Sequence, residues 1–314
     1  MKATLITETV TKNQNTMNTR SYLQTTMILA VLFGSLLLQG CSDVTNTAQE
    51  ELSEEEVLVL EGVLGSALSE EDEGLLSGMK DMTGRFGANG LNHRYRDTGG
   101  FEGSPFGNFT REYDPETGIH TITFIREADR PRGSVSFSAL MEYQFTDPDG
   151  AYLEFPYADS TLIQTIQFNG TRAGEMQRTN RSSSFERVAN WTLSDIQSAD
   201  GVMTLEGSQT GTGMMMISRP NGGEFSREYT TQLDLVDVTL QEATEDEDRL
   251  PYLVSGVIEY QTTVTKIING EETVNEYSGT IELSENGEAL VRFFGLKRTL
   301  RLNLANGNRV DSNS

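Results

Sequence analysis

Seven short turn signals punctuate the chain downstream of residue 108, and they constrain its fold more than any other feature. They are Asp114-Pro-Glu-Thr-Gly118, Asp147-Pro-Asp-Gly150, Asn169-Gly170, Asp200-Gly201, Asn221-Gly222, Asn269-Gly270 and Asn286-Gly287. Asn and Asp tolerate left-handed backbone angles and Gly adopts them freely, so each pair suits a tight hairpin turn. Between the turns lie runs with the period of two that marks a strand with one buried face. Val254, Gly256, Ile258, Tyr260, Thr262 and Val264 share one phase, as do Leu233 and Leu235 on either side of Asp234. No long helical pattern separates these runs, so consecutive strands must pair antiparallel as a meander. The expectation is a mainly β protein whose meander forms a large barrel or sandwich.

The strands carry an internal echo. Phe109-Thr-Arg-Glu-Tyr113 matches Phe225-Ser-Arg-Glu-Tyr229, and Glu142-Tyr143-Gln144 follows the first as Glu259-Tyr260-Gln261 follows the second, at nearly equal spacing. A strand ending in Glu lies between in both (Ile122–Glu127 and Val236–Glu242), and a Gly turn follows at Gly150 and Gly270. This predicts two similar halves, residues 108–220 and 221–314, either as tandem units or joined in one domain.

Ahead of the strands, residues 53–82 read as a short helical hairpin. Ser53-Glu-Glu-Glu56 and Ser69-Glu-Glu-Asp72 have the capping-box pattern, in which Ser caps free backbone N–H groups and an acid three residues on reciprocates. Val57, Leu60, Leu64 and Ala67 share a face of the first helix; Leu75, Met79 and Met82 share one of the second. Gly62 and Gly65 weaken the first helix by up to about 1 kcal/mol each relative to Ala, so the hairpin must lean on the β domain. Residues 83–107 hold seven glycines and read as a linker.

The amino-terminal segment says where the protein works. The apolar run Met27–Leu38 is too short to cross a bilayer as a helix, which needs roughly 20 residues. It has the size of a signal-peptide core, and Leu38-Gln39-Gly40-Cys41 closes it with the only cysteine in the chain. This resembles the lipobox of bacterial lipoproteins. The resemblance implies removal of residues 1–40 as a signal peptide, acylation of Cys41 (palmitate among the chains), and a tether over residues 41–52. Met17, followed by Arg20, would start a tidier signal than Met1. Ser42 after the cysteine resembles lipoproteins sorted to the outer membrane; the side the domain faces stays open.

Removing residues 1–40 leaves 21 basic and 46 acidic residues, a net charge of −25, with Lys80, Lys266 and Lys297 as the remaining lysines. So acidic a surface repels polyanions and argues against nucleic acid as a partner. With Cys41 acylated no thiol is left for a disulfide or a cysteine metal site.

Catalytic signatures are sparse. His93 and His120 are the only histidines, and neither accompanies a nucleophile elbow; His120, just after the Gly118 turn, reads as a turn-flanking surface residue. Gly207-Ser-Gln-Thr-Gly211-Thr-Gly213 lacks the Lys and Ser/Thr of a phosphate loop and reads as a strand end and turn. Asp147–Gly150 is short for a calcium loop and reads as a turn, and the acidic run Glu242–Arg249 reads as a solvated loop. Met214-Met215-Met216 fits a buried strand, and Trp191 the core. Arg85 and His93-Arg94-Tyr95-Arg96 form a locally basic, aromatic segment suited to an anionic glycan, lipid headgroups or a partner. The most pointed candidate is a ligand platform made of Phe109, Arg111 and Tyr113 with Phe225, Arg227 and Tyr229, where alternation sets an Arg between two aromatics on one face.

These features predict a non-enzymatic, envelope-anchored lipoprotein with a binding or structural role and no implied cofactor. Its partners would be the membrane through Cys41 and an envelope protein, a glycan or a small hydrophobic ligand. One rival is a carrier or sensor of hydrophobic molecules, which requires a roomy interior lined by Phe, Met and Leu. A second is a polysaccharide hydrolase, which requires two acids roughly 5–10 Å apart in an open cleft.

Overall fold

The turn residues and the alternation translate into eleven strands among the described residues: β1 (Asn108–Asp114), β2 (Ile119–Arg130), β3 (Gly133–Thr146), β4 (Thr165–Arg178), β5 (Arg181–Ser194), β6 (Val202–Ser218), β7 (Glu224–Glu242), β8 (Tyr252–Ile268), β9 (Glu271–Ser284), β10 (Glu288–Phe293) and β11 (Thr299–Asn303). The computed structural model describes residues 52–70, 72–83, 108–130, 133–156, 158, 160–178, 181–218, 224–242, 252–268 and 270–310. Cys41 with the signal and tether, the linker from residue 84, and Asn221-Gly222 lie outside them. Each strand pairs antiparallel with its neighbours in chain order, giving one sheet from β1 to β11. The meander is therefore observed. The sheet is neither a closed barrel nor half of a sandwich, because β1 and β11 remain its two edges and helices, rather than a second sheet, cover its inner face.

Those helices are α1 (Glu54–Leu68) and α2 (Leu75–Thr83). Ser53 caps α1 through a complete capping box: its Oγ accepts from Glu56 N at 3.2 Å, and Glu56 Oε2 accepts from Ser53 N at 2.9 Å. The second expected box does not open a helix. Ser69 Oγ accepts from Asp72 N at 3.4 Å, but Ser69 is the C-cap of α1, Glu73 takes a left-handed φ of 58°, and α2 begins only at Leu75. The predicted apolar faces hold: Val57, Leu60, Leu64 and Ala67 of α1 and Leu75, Met79 and Met82 of α2 are buried in one core with inward residues of β2 to β11. Gly65 is required there, because a Cβ on it would run into the backbone of Gly307 in the turn after β11.

Inward positions follow the period of two until it breaks. In β7, Leu233 and Leu235 point inward, then Val238 and Leu240; a bulge between Leu235 and Thr239 absorbs the change of phase. The same bulge shows in the β6–β7 pairing, where Leu205 meets Val238 and Gly207 meets Leu235, while β6 keeps one phase through Met203, Leu205 and Gln209. The predicted turn over Gly207–Gly213 is thus the interior of β6. Asn169-Gly170 is likewise no turn but the middle of β4, paired with Met141 and with Asn190 and Ala189. Gly170 is there because the Phe168 ring lies over it, where a Cβ would collide. Turns at Gly118, Gly150, Gly201, Gly270 and Gly287 form with positive φ, as expected.

The two echoing segments do not occupy equivalent strands. Tyr113 lies in β1, Ile122–Glu127 in β2 and Tyr143 in β3, whereas Tyr229 and Val236–Glu242 share β7 and Tyr260 lies in β8. The first segment spans three strands and the second two. Across residues 220 and 221 the sheet is continuous, with β6 paired to β7 along most of both strands.

Candidate functional site

Helix α1, at 15 residues and 1.5 Å per residue, is about 22 Å long, whereas β7 with 19 residues at about 3.3 Å per residue runs roughly 63 Å. The helices therefore cover one part of the inner face. They are fastened there by side chains that alternation turns inward. Arg172 of β4 donates from Nη2 to Asp81 Oδ2 of α2 at 2.8 Å, both side chains being buried. Arg187 of β5 donates to the carbonyls of Ser66, Asp72 and Glu73 at 3.0, 2.5 and 3.1 Å, and Gln209 Nε2 donates to Ala67 O at 3.2 Å. A guanidinium at the last carbonyls of α1 satisfies orphan acceptors and suits the negative end of the helix. Burial pushes the Arg187 pKa down from its ordinary value, with Tyr229, Asp72 and Glu73 opposing.

A cavity of about 480 Å³ opens between α1 and the sheet. Its apolar wall is Val63 of α1, Phe124 of β2, Phe137 of β3, Met176 of β4, Phe185 of β5 and Met215 of β6. The three phenyl rings form a row, with centroids 5.7 Å apart for Phe124–Phe137 and 6.5 Å for Phe137–Phe185. Arg126, Arg227 and Tyr229 also line it. β2 and β7 are five strands apart in the sheet, about 24 Å at the usual strand spacing; side chains of both border one cavity because the sheet curls. Gly62 of α1 also borders it, and a Cβ there would approach Arg227 Nη1 no closer than 3.8 Å.

The predicted platform is therefore divided. Arg227 and Tyr229 line the cavity, while Arg111 and Tyr113 serve another purpose at the β1 edge. Tyr113 packs on His120 with ring centroids 4.5 Å apart, and Arg111 Nη2 lies 3.3 Å from His120 Nδ1. Phe109 belongs to β1 and Phe225 to β7. His120 is fully buried, contrary to its reading as a surface residue, since the period of β2 turns it inward with Ile122. Its Nε2 lies 2.9 Å from Leu153 O and its ring meets Phe145 edge-on. An acceptor at Nε2 and a guanidinium at Nδ1 together require the neutral imidazole protonated on Nε2. Desolvation pushes its pKa down, and Arg111 adds to that, against the Leu153 carbonyl.

Asp147–Gly150 is a turn, its Asp147 Oδ1 accepting from Asp149 N and Ala151 N. Trp191 is core, against Phe168 at 5.1 Å between ring centroids. Met214, Met215 and Met216 are half-buried at the cavity end of β6 rather than buried. His93 and the basic segment from Arg85 to Arg96 lie outside the described residues, as do all but the first residue of Glu242–Arg249. Sequence reasoning missed Phe124, Arg126, Phe137 and Phe185, although each stands in the inward phase of its strand, two or four residues from a core position. No family model, curated protein or solved structure matches the chain.

Proposed function

We propose that the protein is an envelope lipoprotein, anchored through Cys41, whose domain binds a small apolar molecule between α1 and the curled sheet. The observation that carries this reading is the cavity itself. Its volume falls within the roughly 300–1,000 Å³ usual for small-ligand sites, and such sites are mostly apolar with a few polar groups. A carrier or sensor needs this kind of interior, and a filled core would have argued for work through the surface alone. The anchor rests on the lipobox resemblance. Mass spectrometry of the protein recovered from its own envelope tests both parts. The denatured chain is expected at the mass of residues 41–314 plus acyl groups, and the native protein at a further, dissociable excess. A denatured mass that retains residues 1–40 refutes the anchor; equal native and denatured masses refute the carrier.

A further inference from the structure

The cavity's polar groups identify the class of ligand. Resting on the reading of this cavity as a binding site, we infer that it takes a single-chain amphiphile with an anionic head, carboxylate or phosphate, held by Arg126 and Arg227. Both arginines border the same space as the row Phe124, Phe137 and Phe185, so one ligand can lie along the rings and reach the guanidinium groups. Nε of Arg126 is buried and has no hydrogen-bond partner among the described residues. A buried donor left unsatisfied is costly, and an anionic oxygen is its strongest complement.

The setting sharpens the argument. In a chain of 24 basic and 47 acidic residues, two guanidiniums beside an apolar wall are a local exception, and the surrounding surface repels an anion that has no such docking point. Four carboxylates also border the cavity, but they lie at its rim or are engaged. Asp72 and Glu175 are exposed. Glu73 Oε2 accepts from Ser77 Oγ at 2.7 Å, and Glu61 Oε1 accepts from Arg309 N at 3.3 Å. A purely apolar ligand would use the rings and leave Arg126 Nε unsatisfied, a neutral polar head would satisfy it with a weaker bond than an anion makes, and a cationic one would face the guanidiniums directly.

The test compares dodecanoate, dodecyl phosphate and dodecanol, which share a chain and differ in the head, by calorimetric titration of the mature lipoprotein in nanodiscs, with empty nanodiscs as the blank. The anionic probes are expected to bind at least about 10-fold more tightly than the alcohol, the scale of one charge-assisted hydrogen bond. A preference between carboxylate and phosphate then names the source. Arg126→Gln and Arg227→Gln should each erode that preference, with circular dichroism reporting that the variants fold; Arg126→Lys should retain part of it. Gly62→Leu, which adds a branched side chain at the cavity wall beside Arg227, should weaken all three probes. Equal binding of the three heads, or a preference that survives both Gln variants, overturns the anionic-head inference and leaves the apolar site standing. Failure of every probe to bind overturns the site reading as well.

Discussion

Asp81→Ala should destabilise the domain more than the loss of any surface ion pair, and the reason is the position of Arg172. Its side chain is 6% exposed and that of Asp81 2%; the pair joins α2 to β4, with Met141 Sδ 4.0 Å from the same Nη2. Removing Asp81 leaves a buried cation that cannot shed its proton, because Arg stays charged in proteins. Breaking a buried pair in this way costs about 3–5 kcal/mol. For a domain of this size that corresponds to a fall in Tm of roughly 6–20 °C, at about 2–4 °C per kcal/mol. Urea unfolding followed by circular dichroism reads the cost directly. Glu282→Gln, which breaks the solvent-exposed Arg292–Glu282 pair, is the control and should move the midpoint far less. Asp81→Leu with Arg172→Met removes both charges and should recover most of the lost stability, since a buried pair replaced by packed apolar groups is often neutral or better. If Asp81→Ala unfolds at the urea midpoint of Glu282→Gln, then water reaches Arg172 and the account of how the helices are fastened is wrong.

Two glycines of the helical hairpin should respond in opposite directions to the same substitution. Gly62→Ala gains helix propensity while its methyl group makes only an ordinary contact with Arg227 and should stabilise by about 0.5–1 kcal/mol; Gly78→Ala gains the same propensity but drives its Cβ into the Trp191 indole and should cost about 1–3 kcal/mol net. Equal shifts in urea midpoint would refute the packing at Trp191. His120 gives a pH dependence with a fixed sign. Its native pKa is depressed by burial, so below the unfolded value of about 6.5 the unfolded chain takes up a proton that the native state resists, and stability falls as pH drops through that value toward the lower native one. Urea midpoints compared between about pH 7.5 and 5.5 should fall further for the wild type than for His120→Gln, whose amide can still donate to Leu153 O; parallel curves would show that His120 is not held neutral.

The hairpins were legible because their chemistry is local. An Asp or Asn with Gly at Gly118, Gly150, Gly201 and Gly287 needs only its own backbone angles, and all four turns form with positive φ. Asn169-Gly170 misled for the complementary reason: its glycine answers to the Phe168 ring lying over it, a contact that no dipeptide announces. The stretch from Gly207 to Gly213 misled in the same way, since Gly207 sits at a bulge against the backbone of Asn190 while Tyr229 lies over Gly213. The strand-to-strand inequality of the two echoing segments follows from the unequal lengths of β1 and β7, 7 and 19 residues. Equal spacing along a chain says nothing about where it reverses.

The candidate site was half legible, and the division has one physical cause. Alternation assigns each side chain to a face, which is enough to set Arg227 and Tyr229 together on one face of β7, or Phe124 and Arg126 on one face of β2. It does not say that faces five strands apart will border the same space; that depends on how tightly the sheet curls and how far the helices reach. A helical layer of about 22 Å against strands of up to roughly 63 Å leaves inner face uncovered, and in a merely stable domain that remainder would turn polar or the strands would be shorter. Here the inward phases that border the gap beside α1 stay aromatic, at Phe124, Phe137 and Phe185. Gly62 of α1 borders the same gap, opposite Arg227. Without a side chain at that position, α1 leaves the gap beside Arg227 unfilled.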